Sequence, residues 1–243
     1  MHYGILLATL LSVAATAYAD EHIDIARFSA LRPGAALPAE WKASTVASIE
    51  QHTRYTLVDD GGRTVLRAEA RSAASGLTRK VRFDPALFPR LQWQWKIDQV
   101  IDNADLRSKS GDDFPARLYV MFDYPLEKLS FGERNLLRLA RTFSDPELTA
   151  ATLCYVWDNK TPPGSIVTSP YSSQVKVIVV ESGNARAGQW VPFERDLSAD
   201  FRAAFGDAVP PVTAIAIASD TYNTGAVALT HFGDIVVKKQ QGN

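Results

Sequence analysis

A single cysteine, Cys154, is the entire thiol complement of the chain, so no internal disulfide can form in any compartment. It stands in the apolar run TLCYVWD, where a thiol serves as a small hydrophobe rather than as a nucleophile. Histidine is scarce as well. His2, His22, His52 and His231 are scattered, and no zinc-site spacing occurs. Charge of one sign is missing too, since the formal net charge is -1 over 243 residues. That removes the global electrostatic case for a nucleic acid or an anionic membrane as partner. Phosphate-loop, dinucleotide, nucleophile-elbow and metalloprotease-helix motifs are absent, which leaves out the enzyme classes with sharp signatures.

Long apolar runs are confined to the N-terminus. Ile5 to Ala15 is too short to span a bilayer comfortably, and it closes on Ala17-Tyr18-Ala19, a small-x-small cleavage pattern. The expectation is a signal peptide over residues 1–19 and a mature chain from Asp20, periplasmic or secreted. No second run would provide a transmembrane segment in the mature chain.

What the chain does have is strand signal, repeated. YTLVDDGGRTVLRAEA reads as a hairpin joined through Asp59-Asp60-Gly61-Gly62, residues that tolerate positive φ. In RLQWQWKI, Leu91, Trp93, Trp95 and Ile97 share one face while Gln92, Gln94 and Lys96 take the other, which places both tryptophans in a core. ARLYVMFDY, ATLCYVWD, SQVKVIVVES, TAIAIASDT and GAVALTHFGDIVVKK follow, without the regular helices of βαβ architecture. Two helices interrupt the strands. SFGERNLLRLARTF opens with a capping-box spacing from Ser130 to Glu133, and LSADFRAAFG is capped by Ser198 and closed by Gly206. The predicted fold is all-β: a two-sheet antiparallel β-sandwich, jelly-roll-like, with one or two short inserted helices, residues 20–243 forming one domain.

Three polar constellations could carry chemistry. In GDDFPARLYVMF, Asp112 and Asp113 follow a glycine, and Arg117 and Tyr119 share one strand face. Arginine beside tyrosine builds a polar binding surface; equally, Arg117 could be held by Asp113 or a distant acid as an internal ion pair. In SDTYNTG, Asp220, Tyr222 and Asn223 lie in a turn-rich loop. Its oxygen-bearing side chains bind calcium in some proteins and merely cap turns in others, and the spacing is not that of an EF-hand. In HFGDIVV, Gly233 marks a bulge or a close backbone approach, and Asp234 is an acid in an apolar strand that needs a cation or several donors nearby, with Arg117 and a metal ion as the candidate cations. These ionic residues are expected to gather into one cluster.

RSAASGLTRKV, LQWQWK, GDDFPARLYVMF, YVW, SDTYNTG and FGDI, in this order, resemble a family of exported bacterial proteins, domain-of-unknown-function family 3047, over nearly the whole mature chain. The resemblance implies no particular activity, and Tyr222 stands where that family usually has an acid. FGDIVV is more loosely similar to the closing strand of jelly-roll carbohydrate-binding modules. That likeness implies a structural calcium at Asp234 and no other cofactor.

Sugars stack on exposed tryptophan and tyrosine, while their hydroxyls need Asp, Asn, Gln and Arg. The leading expectation is therefore an exported non-catalytic module for a polysaccharide or envelope glycan, bound through Asp112, Asp113, Arg117, Tyr119, Asp220, Tyr222 and Asn223. The alternatives are a structural or assembly protein of the envelope, and a glycan hydrolase or lyase with paired carboxylates among Asp113, Asp220 and Asp234.

Overall fold

The computed structural model describes residues 21–129, 131–132 and 150–240. The leader expected over 1–19 lies outside the described residues. So does the helix expected over 130–143, apart from Phe131 and Gly132.

The chain first forms β1 (His22–Ala26), β2 (Trp41–Ser44), β3 (Arg54–Asp59), β4 (Thr64–Arg71), β5 (Ala74–Phe83), β6 (Arg90–Ile97) and β7 (Phe114–Phe122). Then come β8 (Ala151–Asp158), β9 (Ile166–Thr168), β10 (Val175–Ser182), β11 (Val191–Asp196), helix α1 (Leu197–Phe205), β12 (Val212–Asp220) and β13 (Val227–Lys238). A front sheet runs β11-β6-β13-β4-β3, with β1 also paired to β13, and a back sheet runs β2-β5-β12-β7-β8-β10-β9. The chain passes repeatedly from one sheet to the other, as a jelly-roll-like sandwich requires.

The predicted two-sheet sandwich is what forms, with one departure from antiparallel pairing. β8 and β10 are parallel. Residues 159–174 are long enough for the crossover of about a dozen residues that parallel neighbours need. On the way back they form β9, antiparallel to β10.

Alternation decides what fills the sandwich. Leu91, Trp93, Trp95 and Ile97 of β6 point inward and are buried, as their spacing predicts. They meet Leu118, Val120 and Phe122 of β7 and Tyr155 and Trp157 of β8. Trp93 packs 5.2 Å from Tyr155 and stacks at 5.3 Å on Phe193. Burying each such side chain contributes about 1.5–3 kcal/mol. The hairpin turns through Gly61 and Gly62, both at positive φ. Helix α1 ends at Gly206, as predicted, with φ +77°. Its N-cap is Asp196 rather than the predicted Ser198. The Asp196 carboxylate accepts from Ala199 N at 2.9 Å, whereas the Ser198 hydroxyl donates to Pro85 O.

The outer side of the back sheet carries a second, smaller core. Cys154, Val156, Val177 and Val179 are buried there with Leu106 and Phe114, so the connection from β6 to β7 lies over this side. Arg117 alternates with inward Leu118 and therefore enters this layer, beside Val156 in register.

Candidate functional site

The residues of GDDFPAR and SDTYNTG meet although about a hundred positions separate them. β7 pairs with β12, and the register shifts between Ala218 and Asp220. This brings Asp220 against the start of β7. Arg117, only 4% exposed, donates from Nε to Asp220 Oδ1 at 2.9 Å, and its Nη2 lies 2.7 Å from Asp220 Oδ2. It also reaches Asp112 Oδ2 at 3.5 Å and the Asp112 carbonyl, with the Phe114 ring 4.4 Å from its guanidinium carbon. Asp113, 1% exposed, is satisfied by the other loop: Asn223 N donates to it at 3.2 Å, Thr224 N at 2.7 Å and Thr224 Oγ1 at 2.7 Å. Asn223 Nδ2 donates to the Asp112 carbonyl at 3.3 Å.

Electrostatics follow from burial. Desolvation raises the Asp220 carboxyl to about 6 despite Arg117, and raises Asp112 as well. Desolvation opposes the charge on Arg117, but Asp220, Tyr119 and Asp112 outweigh it, and the group is held well above its ordinary range. Asp112 Oδ1 is buried with no hydrogen-bond partner.

Of the residues expected to bind a ligand, Asp112, Asp113, Arg117, Asp220 and Asn223 are brought together and bonded to one another, with the first three buried and Asp220 and Asn223 half-buried. The geometry favours the internal ion-pair alternative over an open groove. Tyr119 is half-buried rather than openly exposed. It packs against the Cys154 cluster, and burial drives its hydroxyl well above its ordinary value. Tyr222 is 46% exposed on the loop that Asp113 holds.

Asp234 is elsewhere. It lies on the front sheet, so Arg117 is not its partner. Gly233 and Asp234 form the bulge in β13 that the sequence predicts, between Phe232 and Ile235. A Cβ on Gly233 would sit 2.6 Å from Gln94 Cγ. Asp234 accepts from Ser29 N at 2.9 Å, from the Ser29 hydroxyl, and from Arg63 Nη2 at 3.3 Å. Arg63 is thus the cation beside it, and Ser29 supplies the other two donors. Among the described residues, no group of three or more His, Cys, Asp or Glu could hold a metal ion.

Sequence reasoning missed two features. Asp200 of α1 accepts from the buried Tyr155 hydroxyl at 2.8 Å and from Arg195 Nε at 2.8 Å, the latter at the end of β11. A phenol in the wholly buried strand β8 was the available signal, because such a hydroxyl needs a partner. The ionic residues thus form several clusters, not one.

The second missed feature is the outward face of the front sheet. Register puts Lys96 beside His231 and His231 beside Arg67. One step along, Pro192 is beside Gln94, and next Glu194 beside Gln92. Lys96 Nζ contacts both oxygens of Asp60, at 2.6 and 2.7 Å, and Trp190 Nε1 donates to Asp60 Oδ2 at 2.7 Å. The lysine hydrogen bond is the main reason the Asp60 carboxyl is held below its usual range. Lys96 Nζ is 5.4 Å from the centre of the Trp190 ring, which is half-buried. Gln92 Nε2 donates to Glu194 at 2.6 Å. Gln92, Gln94, Pro192, Glu194, Asp234 and Val236 border an open depression of about 560 Å³. The alternation of Gln92, Gln94 and Lys96 was the legible sign of this face. Its far partners were not.

Among solved structures, the chain is similar to a family 30 carbohydrate-binding module of a cellulosomal cellulase of Clostridium thermocellum. Identity is 11%, the match covers 91% of this chain and 99% of that one, and the TM-score is 0.40. A family 12 xyloglucanase from Bacillus licheniformis matches at 9% identity, with coverage of 90% and 100% and a TM-score of 0.45. Likeness this distant bears on neither ligand nor activity. No curated protein matches the sequence. No helix among the described residues is long and apolar enough to cross a membrane. Residues 39–236 match the family described as "Protein of unknown function (DUF3047)", and the chain belongs to that family.

Proposed function

We propose that the protein is an exported, non-catalytic module that binds a polysaccharide on the outward face of its front sheet. The observation that carries this reading is the open depression across β11, β6 and β13, where two amides and two carboxylates stand among the apolar Trp93, Pro192, Phe193 and Val236. Gln92 keeps its carbonyl and a second N–H beside its bond to Glu194, and Gln94, whose carbonyl is turned to Arg63, presents its N–H groups, which suits sugar hydroxyls. The carboxylates of this face are engaged: Asp234 by Ser29 and Arg63, Glu194 by Gln92, and Asp60 by Lys96. Such groups act as hydrogen-bond acceptors and lack the apolar seclusion of a general acid. In this reading the Arg117 network pins the loop after β12 and touches no ligand.

Native electrophoresis of the purified protein through gels containing dissolved polysaccharides tests the proposal. Retention by at least one polymer is expected, and Gln92→Ala with Gln94→Ala should abolish it without changing the melting temperature. Free migration in every gel, or retention indifferent to both glutamines, would remove the reading. Export is tested by N-terminal sequencing of the mature product, which should begin at Asp20. The closed Arg117 network favours a second reading, in which the protein is a structural component of the envelope and no glycan is retained.

A further inference from the structure

We infer that the front-sheet face takes a neutral glycan, with Trp190 as the plate on which a sugar ring stacks; this rests on the polysaccharide-binding reading above. Every carboxylate named on this face has its own cation. Asp60 is held by Lys96, Asp234 by Arg63, Glu69 by Arg54 and Arg67, and Glu194 by Arg90 at 3.4 Å. Positive and negative groups nearly cancel. Burial and then Lys96 hold the His231 ring below the ordinary histidine range, which disfavours a charge there.

A uronate or sulfated chain would have to take a cation from a carboxylate that already holds it. It would also bring its own negative charge close to Asp60 and Asp234, within the roughly 8–10 Å over which charges still interact in saline. A neutral hydroxyl meets neither obstacle. It donates to a spare lone pair of a carboxylate or accepts a spare N–H, and the ion pair stays intact.

Trp190 supplies the apolar contact. Its Nε1–H is fixed by Asp60, while Lys96 at 5.4 Å and His231, whose ring centre is 6.5 Å away, flank the ring. The indole is therefore held before any ligand arrives, and little side-chain entropy remains to be lost on stacking. Trp190 lies just before β11, beside Lys96, whose strand face also carries Gln92 and Gln94 at the depression.

The test compares hydroxyethylcellulose, as a neutral polymer, with polygalacturonate and heparin, as anionic ones. Binding of the purified protein is measured by calorimetry at low and at high salt. Preference for the neutral polymer, little salt dependence and a loss of about tenfold or more in affinity for Trp190→Ala are expected. Circular dichroism confirms that the variant is folded, and Trp190→Phe, which keeps a ring, should lose less. Preference for an anionic polymer with strong salt dependence would overturn this inference while leaving polysaccharide binding intact. Unchanged affinity in a folded Trp190→Ala variant would overturn the stacking role. Binding to none of the polymers would overturn both this inference and the reading it rests on.

Discussion

Replacing Arg117 by methionine puts the pairing logic of the buried network to its most direct test. The guanidinium makes contacts of 2.9 and 2.7 Å with Asp220 and one of 3.5 Å with Asp112. Methionine keeps much of the volume, so the cavity contribution is small. What remains is two interior carboxylates without their cation. Breaking a buried pair in this way costs about 3–5 kcal/mol, a large part of the roughly 5–15 kcal/mol that holds a domain folded. The penalty should depend on pH, with a definite sign. In the native protein the Asp220 carboxyl is raised from 3.8 to about 6. A carboxyl raised on folding binds its proton more tightly in the folded state, so its contribution is fully present below the unfolded value and is lost as pH rises through the folded one. For this one group the loss is about 3 kcal/mol across that window. Without Arg117 the carboxyls rise further, and acid then neutralises the stranded charges. Urea titrations followed by tryptophan fluorescence should show the largest gap between variant and parent above about pH 7 and a smaller one near about pH 5. Adding Asp220→Asn to the variant should recover most of the loss at neutral pH. A penalty under about 1 kcal/mol, or one of equal size in acid and base, would refute the reasoning.

Burial pushes the Cys154 thiol up to about 12, so a thiol-reactive dye should label the protein only after unfolding; prompt labelling of the folded protein would contradict the packing. Asp200→Ala strands both the Tyr155 hydroxyl and Arg195 and should cost about 2–3 kcal/mol, against about 1 kcal/mol for Tyr155→Phe. Equal losses in thermal melts would deny Asp200 its place at the junction. Gly206→Ala forces a side chain into φ +77° and should lower stability by about 1 kcal/mol, whereas a neutral effect in urea would show that the helix end relaxes freely.

Strand content was plain in the sequence because alternation is a local signal. Leu91, Trp93, Trp95 and Ile97 announce an inward face without reference to anything else in the chain. The charge in GDDFPAR likewise announced a need for partners, and the ion-pair alternative named the right chemistry. Which acid answers Arg117 was a different kind of question. Asp220 arrives from a strand 103 positions later, and Asp113 turns instead to the loop at Asn223 and Thr224. Asp234 finds Ser29 across 205 positions, and Trp190 finds Asp60 across 130. Periodicity fixes the side of a sheet on which a residue sits, but it carries no information about which distant strand or loop lies over that side. The parallel run of β8 and β10 escaped for the same reason.

One strand governs when the proposed glycan surface can exist at all. β13 lies between β6 and β4, and its far half also carries β1, with His22 opposite Lys238. Remove it, and the front layer falls into two unconnected ribbons, β11 with β6 and β4 with β3, and β1 is left unpaired. The face is therefore not assembled until β13, which follows every other described strand in the chain, slots in and joins the pieces. Such late keystone closure makes for slow folding.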